Sequence, residues 1–333
     1  MKNLKKILIT GGAGYCGGIL VPLLLEKNYF IRVYDIMFFG SDHLQSHPNL
    51  EIIKADIRNI EQFKKSLKDI DIVLHLACIS NDTSFVLNEK LSESINYDAF
   101  EPLVLESKKV GVKRFIYASS SSVYGVSDQL NVTEDHPLVP LTLYNKFKGL
   151  CEPLLFKHID ENFTGVVFRP ATVCGYSPRQ RLDVSVNILT NFAINKNFIK
   201  VFGGEQMRPN LHINDYAKLC IRLIECEKNL VNGQIFNCGY ENMKINEIAD
   251  TVKIIVEKNY NKKINIETEF SDDNRSYHIN SDKIKKILNF IPTLSVEDAV
   301  NDLCKAFKKN LLPNSFDDDK YFNVKSIKNS NMV

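Results

Sequence analysis

Residues 7–18 read ILITGGAGYCGG. An apolar run ends in Thr10, then Gly11, Gly14 and Gly17 fall at G-x-x-G-x-x-G, and a helical pattern over 16–27 follows. A strand, a glycine turn and a helix in this order give each glycine a task. Gly11 permits the tight turn, Gly14 lets backbone approach a pyrophosphate, and Gly17 lets helix pack on strand. The phosphates then meet the positive N-terminus of the helix. The next apolar run, FIRVYD (30–35), ends in Asp35, 18 residues beyond Gly17, where a ribose-hydroxyl acceptor belongs. No arginine or lysine follows at once in DIMFFG (35–40), so the reading is NAD(H) rather than NADP(H).

Working outward, KILIT (ending at Thr10), FIRVYD, LEIIKAD (50–56), DIVLHLA (71–77), RFIYAS (114–119) and TGVVFRP (164–170) read as strands. Several are almost continuously apolar, which places them in a parallel sheet covered on both faces. Helical patterns lie between them at 16–27, 59–68, 90–110 and 142–161. The alternation predicts an α/β fold, a Rossmann-type doubly wound parallel sheet. After about residue 170 the pattern loosens, with helices near 182–195, 214–228, 245–258 and 296–309 and strands near 199–202, 234–238 and 264–269. This suggests a dinucleotide-binding domain over 1–170, with part of 208–240 threading back into it. A smaller α/β substrate lobe would follow over 171–312, and a polar, loosely held tail over 313–333.

Composition excludes several classes. The chain has 333 residues, 44% hydrophobic and 25% charged, and 42 basic against 40 acidic residues give a net charge of +2. No basic excess points to nucleic acid, and no apolar stretch is long enough to span a membrane. The N-terminus is basic then apolar, but its apolar run is shorter than a signal peptide's, so a cytoplasmic protein is expected. Eight scattered cysteines without a C-x-x-C or Cys/His cluster read as reduced thiols, and no metal site is expected.

Two segments carry chemistry. LYNKFKG (143–149) sets Tyr144 and Lys148 four apart on a helix, on one face. An ammonium beside a phenol lowers its pKa toward neutrality, and a phenolate is a general base for a sugar hydroxyl. About twenty-five residues earlier, YASSSSVYG (117–125) follows the fifth strand. Taken with Asp56 in "AD", HLAC (75–78), Asn96 in INYDAF, FRPATVCG (168–175), RPNLHINDYA (208–217) and RSYHINSDKI (275–284), the chain resembles the extended short-chain dehydrogenase/reductase family. Within it the match is to the NAD-dependent nucleotide-sugar epimerases and dehydratases, and it covers most of the chain.

The resemblance implies roles. Tyr144 is the acid/base, Lys148 its tuner and a ribose-hydroxyl donor, and Ser120 a hydrogen-bonding partner of the reacting hydroxyl. NAD is held by Gly11, Gly14, Tyr15, Cys16, Gly17, Asp35, Asp56 at the adenine, Ile57, Leu76, Ala77 and Asn96, with Tyr144 and Lys148. The substrate is a UDP- or GDP-linked sugar, met by Ser120, Ser121, Thr172, Arg179, Arg208 and Arg275, with Arg181 beside Arg179. A homodimer through helices 90–110 and 142–161, and a place in polysaccharide biosynthesis, are further implications. The chain departs from the dehydratases at Ser121 and Ser122, where they carry an acidic residue; a serine is a poor proton donor to a leaving hydroxyl. Thr172 stands where many relatives have asparagine. Cys174 stands where they have tyrosine; the resemblance allows a catalytic thiol there, while its apolar setting favours a place in the core. The leading expectation is a 4-epimerase working through a transient 4-keto sugar. Its alternatives are a C4 dehydrogenase or keto-reductase with net redox turnover, and a non-catalytic NAD-binding sensor or scaffold.

Overall fold

The computed structural model describes residues 5–271 and 275–329. Its twelve strands are β1 (Lys6–Thr10), β2 (Phe30–Asp35), β3 (Leu50–Lys54), β4 (Ile72–His75), β5 (Arg114–Ala118), β6 (Thr164–Pro170), β7 (Thr172–Cys174), β8 (Phe198–Phe202), β9 (Met207–His212), β10 (Gln234–Cys238), β11 (Glu241–Lys244) and β12 (Asn265–Glu269). Seven form one parallel sheet in the order β10-β6-β5-β4-β1-β2-β3. The chain runs outward from β1 through β2 to β3, then returns to the other side of β1 with β4. The strand order therefore reverses between β1 and β4, and a crevice opens beyond their C-terminal ends.

Alternate residues of each strand face opposite layers. On one face Ile7, Ile9, Val33, Leu74 and Phe168 pack against the helices Gly17–Glu26 and Ile213–Glu225. On the other, Leu8, Val73, Phe115, Tyr117 and Val167 share a core with Phe63, Leu103 and Leu155 from the helices Ile60–Ser66, Phe100–Lys109 and Leu143–Phe156. The strand β10 and the helix Ile213–Glu225 belong to this large unit although they lie late in the chain.

A second core, with Val186, Leu189, Val252, Val256 and Val300 at its centre, gathers the helices Ser185–Lys196, Ile245–Tyr260 and Val296–Lys308 around β8 and β12. A three-stranded sheet, β11-β9-β7, joins the two parts. The pattern over 90–110 resolves into a short helix Glu89–Glu93, a π-helical turn Ser94–Asp98 and the helix Phe100–Lys109. The widened turn brings Asn96 inward.

Residues 313–329 are not a loose tail. Leu312 and Tyr321 are buried in a small cluster with Leu182 and Leu303, and Leu182 N–H donates to the Tyr321 carbonyl at 2.9 Å. A closing helix, Asn323–Lys328, buries Asn323 and Ile327. The polar composition of the segment conceals these few anchoring residues.

Candidate active site

One large cavity lies beyond β1 and β4, and its wall includes Gly11, Gly14, Asp35, Asp56, Ala77, Ser120, Tyr144, Lys148, Thr172 and Arg179. Residues far apart in the chain meet there because the strand ends converge on one edge of the sheet.

The glycine turn forms one end. Gly11 adopts φ +71°, and a Cβ on it would stand 2.6 Å from the Ala77 nitrogen. β1 and the end of β4 approach so closely here that only glycine fits. A Cβ on Gly17 would stand 2.1 Å from the Gly12 carbonyl oxygen, so Gly17 serves the packing of helix on turn; it is absent from the cavity wall. The helix Gly17–Glu26 has no side-chain cap and no acidic residue in its first turn, which leaves its positive end for an anion. Asp35 accepts from the backbone N–H of Ala13 at 3.0 Å and of Met37 at 2.8 Å. Burial raises its pKa against those two bonds and the charge of Arg179. Asp56 is paired with Arg58 at 2.6 Å. Tyr15, Cys16, Ile57 and Leu76 complete this end.

Asn96 stands behind the wall. Its amide accepts from Ile79 N–H at 2.8 Å and donates to the Ile79 carbonyl at 3.0 Å, so it braces the loop after β4. Its side chain acts on that loop rather than lining the cavity, where the resemblance had set it beside the cofactor.

The serine run shapes the other end. After β5, Ser120 caps a short 3₁₀ turn, Ser121–Tyr124, by accepting from Ser122 N–H at 3.2 Å. The Ser120 and Ser122 hydroxyls share a hydrogen bond of 2.7 Å, and Ser122 also donates to the Asn145 amide oxygen. Ser119 points beneath the turn and donates to Glu152 at 2.6 Å. Glu152 in turn grips Arg169 through both oxygens, at 2.9 and 2.5 Å. All four serines line the cavity. Sequence reasoning passes over Ser119 and assigns Ser122 no positive role. The partner of Ser119 is an ion pair that no local pattern announces.

Tyr144 and Lys148 both face the cavity from the helix Leu143–Phe156, which Thr142 caps. The Lys148 ammonium commits one of its three N–H donors to the end of β5. It donates to the Ala118 carbonyl at 2.7 Å and lies 5.1 Å from the centre of the Tyr117 ring. Helical spacing sets the shared face but not where a long lysine ends. Burial pushes the Tyr144 phenol well above its ordinary range, the negative charge of Asp82 adds to this, and Arg181 is the cation that opposes it. The chain without cofactor therefore holds Tyr144 protonated.

Arg181 pairs with Asp183 at 2.8 Å. Arg179 stacks 3.5 Å from the centre of the Phe39 ring, and burial lowers its pKa to about 9. Arg208 and Arg275 are outside the wall. Arg275 pairs with Asp82 at 2.8 Å, and Arg208 donates to the Arg275 carbonyl and lies over the Tyr277 ring. They back up Asp82 and Tyr277, which do face the cavity. Asp82 is a carboxylate at the tyrosine end that no sequence motif marks. Thr172 reaches the wall on β7, whereas Cys174 is buried, donates weakly to the Leu211 carbonyl at 3.6 Å, and has its pKa pushed up by burial. Among the described residues no cluster of His, Cys, Asp and Glu could hold a metal, and no helix is long and apolar enough to cross a membrane.

The wall fits a dinucleotide. An acidic group closes the end beyond β2, a helix N-terminus without a cap sits mid-way, and hydroxyls with a phenol lie at the far end. A model of the NAD dependent epimerase/dehydratase family matches residues 7–239. A putative UDP-glucose 4-epimerase from Methanocaldococcus jannaschii is 28% identical over 254 residues, 74% of this chain and 81% of that protein. UDP-glucuronic acid decarboxylase 1 from Arabidopsis thaliana is 26% identical over 324 residues, 92% of this chain and 71% of that protein. The solved UDP-glucuronic acid 4-epimerase from Bacillus cereus, in complex with UDP-glucuronic acid and NAD, matches with a TM-score of 0.81 at 28% identity, over 92% of this chain and 99% of that one.

Proposed function

The chain belongs to the NAD-dependent epimerase/dehydratase family, and we propose that within it the protein is a nucleotide-sugar 4-epimerase acting on a UDP-linked hexose or hexuronate. The observation that carries this is the cavity in which Tyr144 and Ser120 face the same space as the dinucleotide end; Ser121 and Ser122, which the resemblance aligns with a dehydratase's acid, line it as well. NAD⁺, when bound, supplies the two-electron acceptor and donor for the C4 carbon and a positive charge. Tyr144, ionised in the presence of that positive charge, takes the O4 proton as C4 becomes a carbonyl, and returns it after the sugar has presented its other face. Ser120 hydrogen-bonds the same oxygen, and its bond to Ser122 holds it in place. Lys148, anchored on Ala118, fixes a cation beneath the site. Protons and electrons balance over the cycle without net redox change.

Elimination of water has little support. The carboxylate at this end, Asp82, accepts from Thr142 at 2.5 Å and pairs with Arg275, so it is engaged away from a leaving hydroxyl. The UDP preference rests on the relatives. We also assign a homodimer through the outer faces of Phe100–Lys109 and Leu143–Phe156, where Leu150 is exposed; light scattering giving one chain's mass would remove it.

The test is incubation with NAD⁺ and UDP-glucose, UDP-glucuronate or a GDP-hexose, with products read by proton NMR. The expected product is the C4-inverted sugar with no net NADH. Stoichiometric NADH would instead make it a dehydrogenase, carbon dioxide with a pentose product a decarboxylase. No turnover of any of them would leave a binding protein.

A further inference from the structure

The C-terminal segment enters the cavity wall. Asn323 and Ile327 face the same space as Ser80, Arg179 and Arg181, although they lie beyond the residues 7–239 that the family model matches. Asn323 is 3% exposed, and its amide and its N–H are all engaged. Its Oδ1 accepts from Arg179 Nη2 at 2.7 Å, and its Nδ2 donates to Ser80 Oγ at 2.9 Å. Its backbone N–H donates to Asp183 Oδ2 at 2.8 Å. Ser80 belongs to the loop after β4, on the dinucleotide side. Arg179 and Asp183 belong to the loop after β7, on the other side. Asn323 therefore ties the two loops together, alongside a longer direct bond of 3.4 Å from Arg181 Nη1 to Ser80 Oγ. The closing helix also packs against the short helix Asp82–Phe85, whose first residue faces the tyrosine end.

The tie has an electrostatic side. Arg179 and Arg181 place two guanidiniums in the wall beside the carboxylate of Asp183, and among the described residues Arg179 Nε and Arg181 Nη2 are buried without a partner. The charge of Arg179 acts on Asp35, at the end of β2. Without Asn323, the Arg179 Nη2 loses the oxygen that holds it, and only the stack on Phe39 keeps the guanidinium in that position.

We propose that residues 312–329 are a strap that reaches the cofactor site through Asn323 and Ile327 alone, and that Asn323 is a positioning residue which fixes Arg179 near Asp35 and latches the Ser80 loop to the Arg179–Asp183 loop, so that NAD is retained between turnovers. A ligand seated between two loops leaves when they part. Removing hydrogen bonds that hold them together acts mainly on the dissociation rate. The proposal rests on NAD binding and not on the epimerase reading, because it is tested on the NAD-loaded chain without any sugar.

The measurement is NAD release from the loaded full chain, followed by trapping the freed NAD with an added dehydrogenase. Asn323→Ala removes both side-chain bonds, one of them to a charged group, and should speed release about tenfold. Ser80→Ala removes the bond from Asn323 and the longer one, 3.4 Å, from Arg181 Nη1, and should also speed release about tenfold. Ser326→Ala is the control. It deletes a bond inside the strap, from Ser326 Oγ to the Asp319 carbonyl at 2.6 Å, without touching the cavity. It should leave release unchanged even where it lowers the melting temperature. Wild-type release from both Asn323→Ala and Ser80→Ala overturns the proposal. So does a Ser326→Ala release as fast as that of Asn323→Ala at equal loss of stability, since the strap would then act only through folding. Should Asn323→Ala fail to fold, Ser80→Ala alone decides.

Discussion

Tyr144 must give up a proton that its surroundings hold. A phenol in an enclosed wall loses the hydration that would stabilise its anion, and the nearby negative charge of Asp82 opposes ionisation further. Arg181 is the protein's counterweight. The ultraviolet phenolate signal that distinguishes the wild-type chain from Tyr144→Phe should therefore appear only above the ordinary tyrosine range in the absence of NAD⁺. Asp82→Asn should move it down, Arg181→Gln up, and added NAD⁺ down. If Arg181→Gln and Asp82→Asn move it in the same direction, the charge account is wrong. Tyr144→Phe should lower turnover by about 10²–10⁴, and a loss under tenfold would take the acid/base role from this residue. No pattern in the sequence announces Arg181's part in this. Tyr144 and Lys148 are visible because helical spacing is a short-range property. The cation that reaches the phenol arrives from a loop 37 positions later, and only the fold brings it there.

At the scale of elements, the helix Leu143–Phe156 carries Tyr144, Lys148 and Glu152 at successive spacings of four. The first two face the cavity. The third anchors the helix to β6 through Arg169, with both side chains 3% exposed. The same carboxylate receives Ser119, and Arg169 continues to the Tyr124 hydroxyl at 2.7 Å. The serine turn, the helix and β6 are thus one hydrogen-bonded block under the site. Removing one partner of such a pair strands a buried charge, at a cost of about 3–5 kcal/mol. Glu152→Ala should lower the unfolding free energy in denaturant by that amount. Glu152→Leu combined with Arg169→Met should recover much of it, because no charge is then left unpaired. A double variant as unstable as the single one would mean that packing, not charge, sets the cost. Elements with continuous apolar runs are legible in the sequence. The strands β7, β9 and β11 are not, because β7 and β11 are short, β9 and β11 are half or more polar and β9 is interrupted by Pro209, and they pair with one another.

Across the whole molecule, the doubly wound sheet follows from the order of its apolar runs, and the crevice follows from the strand order. The strap does not, since its few buried side chains are lost among polar neighbours until Leu182 and Leu303 are seen beneath them. The centre of that sheet also sets how the fold responds to acid. His75, at the end of β4, is packed among Phe100, Phe115 and Tyr117 at ring distances of 5.5, 6.0 and 5.8 Å. Its Nδ1 shares a 2.8 Å hydrogen bond with Thr10 Oγ1, which also accepts from Ala77 N–H at 3.3 Å in the cofactor wall. Burial first, and the charge of Lys148 second, lower its pKa from 6.5 to about 3. Between those two values the unfolded chain binds a proton at this position and the folded chain does not. Stability must then fall as pH falls through that window, by up to about 1.4 kcal/mol per unit. His75→Phe keeps an aromatic ring and removes the titration. Its stability relative to wild type should improve by roughly 2.5 kcal/mol between pH 7 and pH 4.5, whatever its value at neutrality, because all other titrating groups are common to both chains. Parallel pH–stability curves for the two would show that His75 finds a way to carry its proton inside the fold.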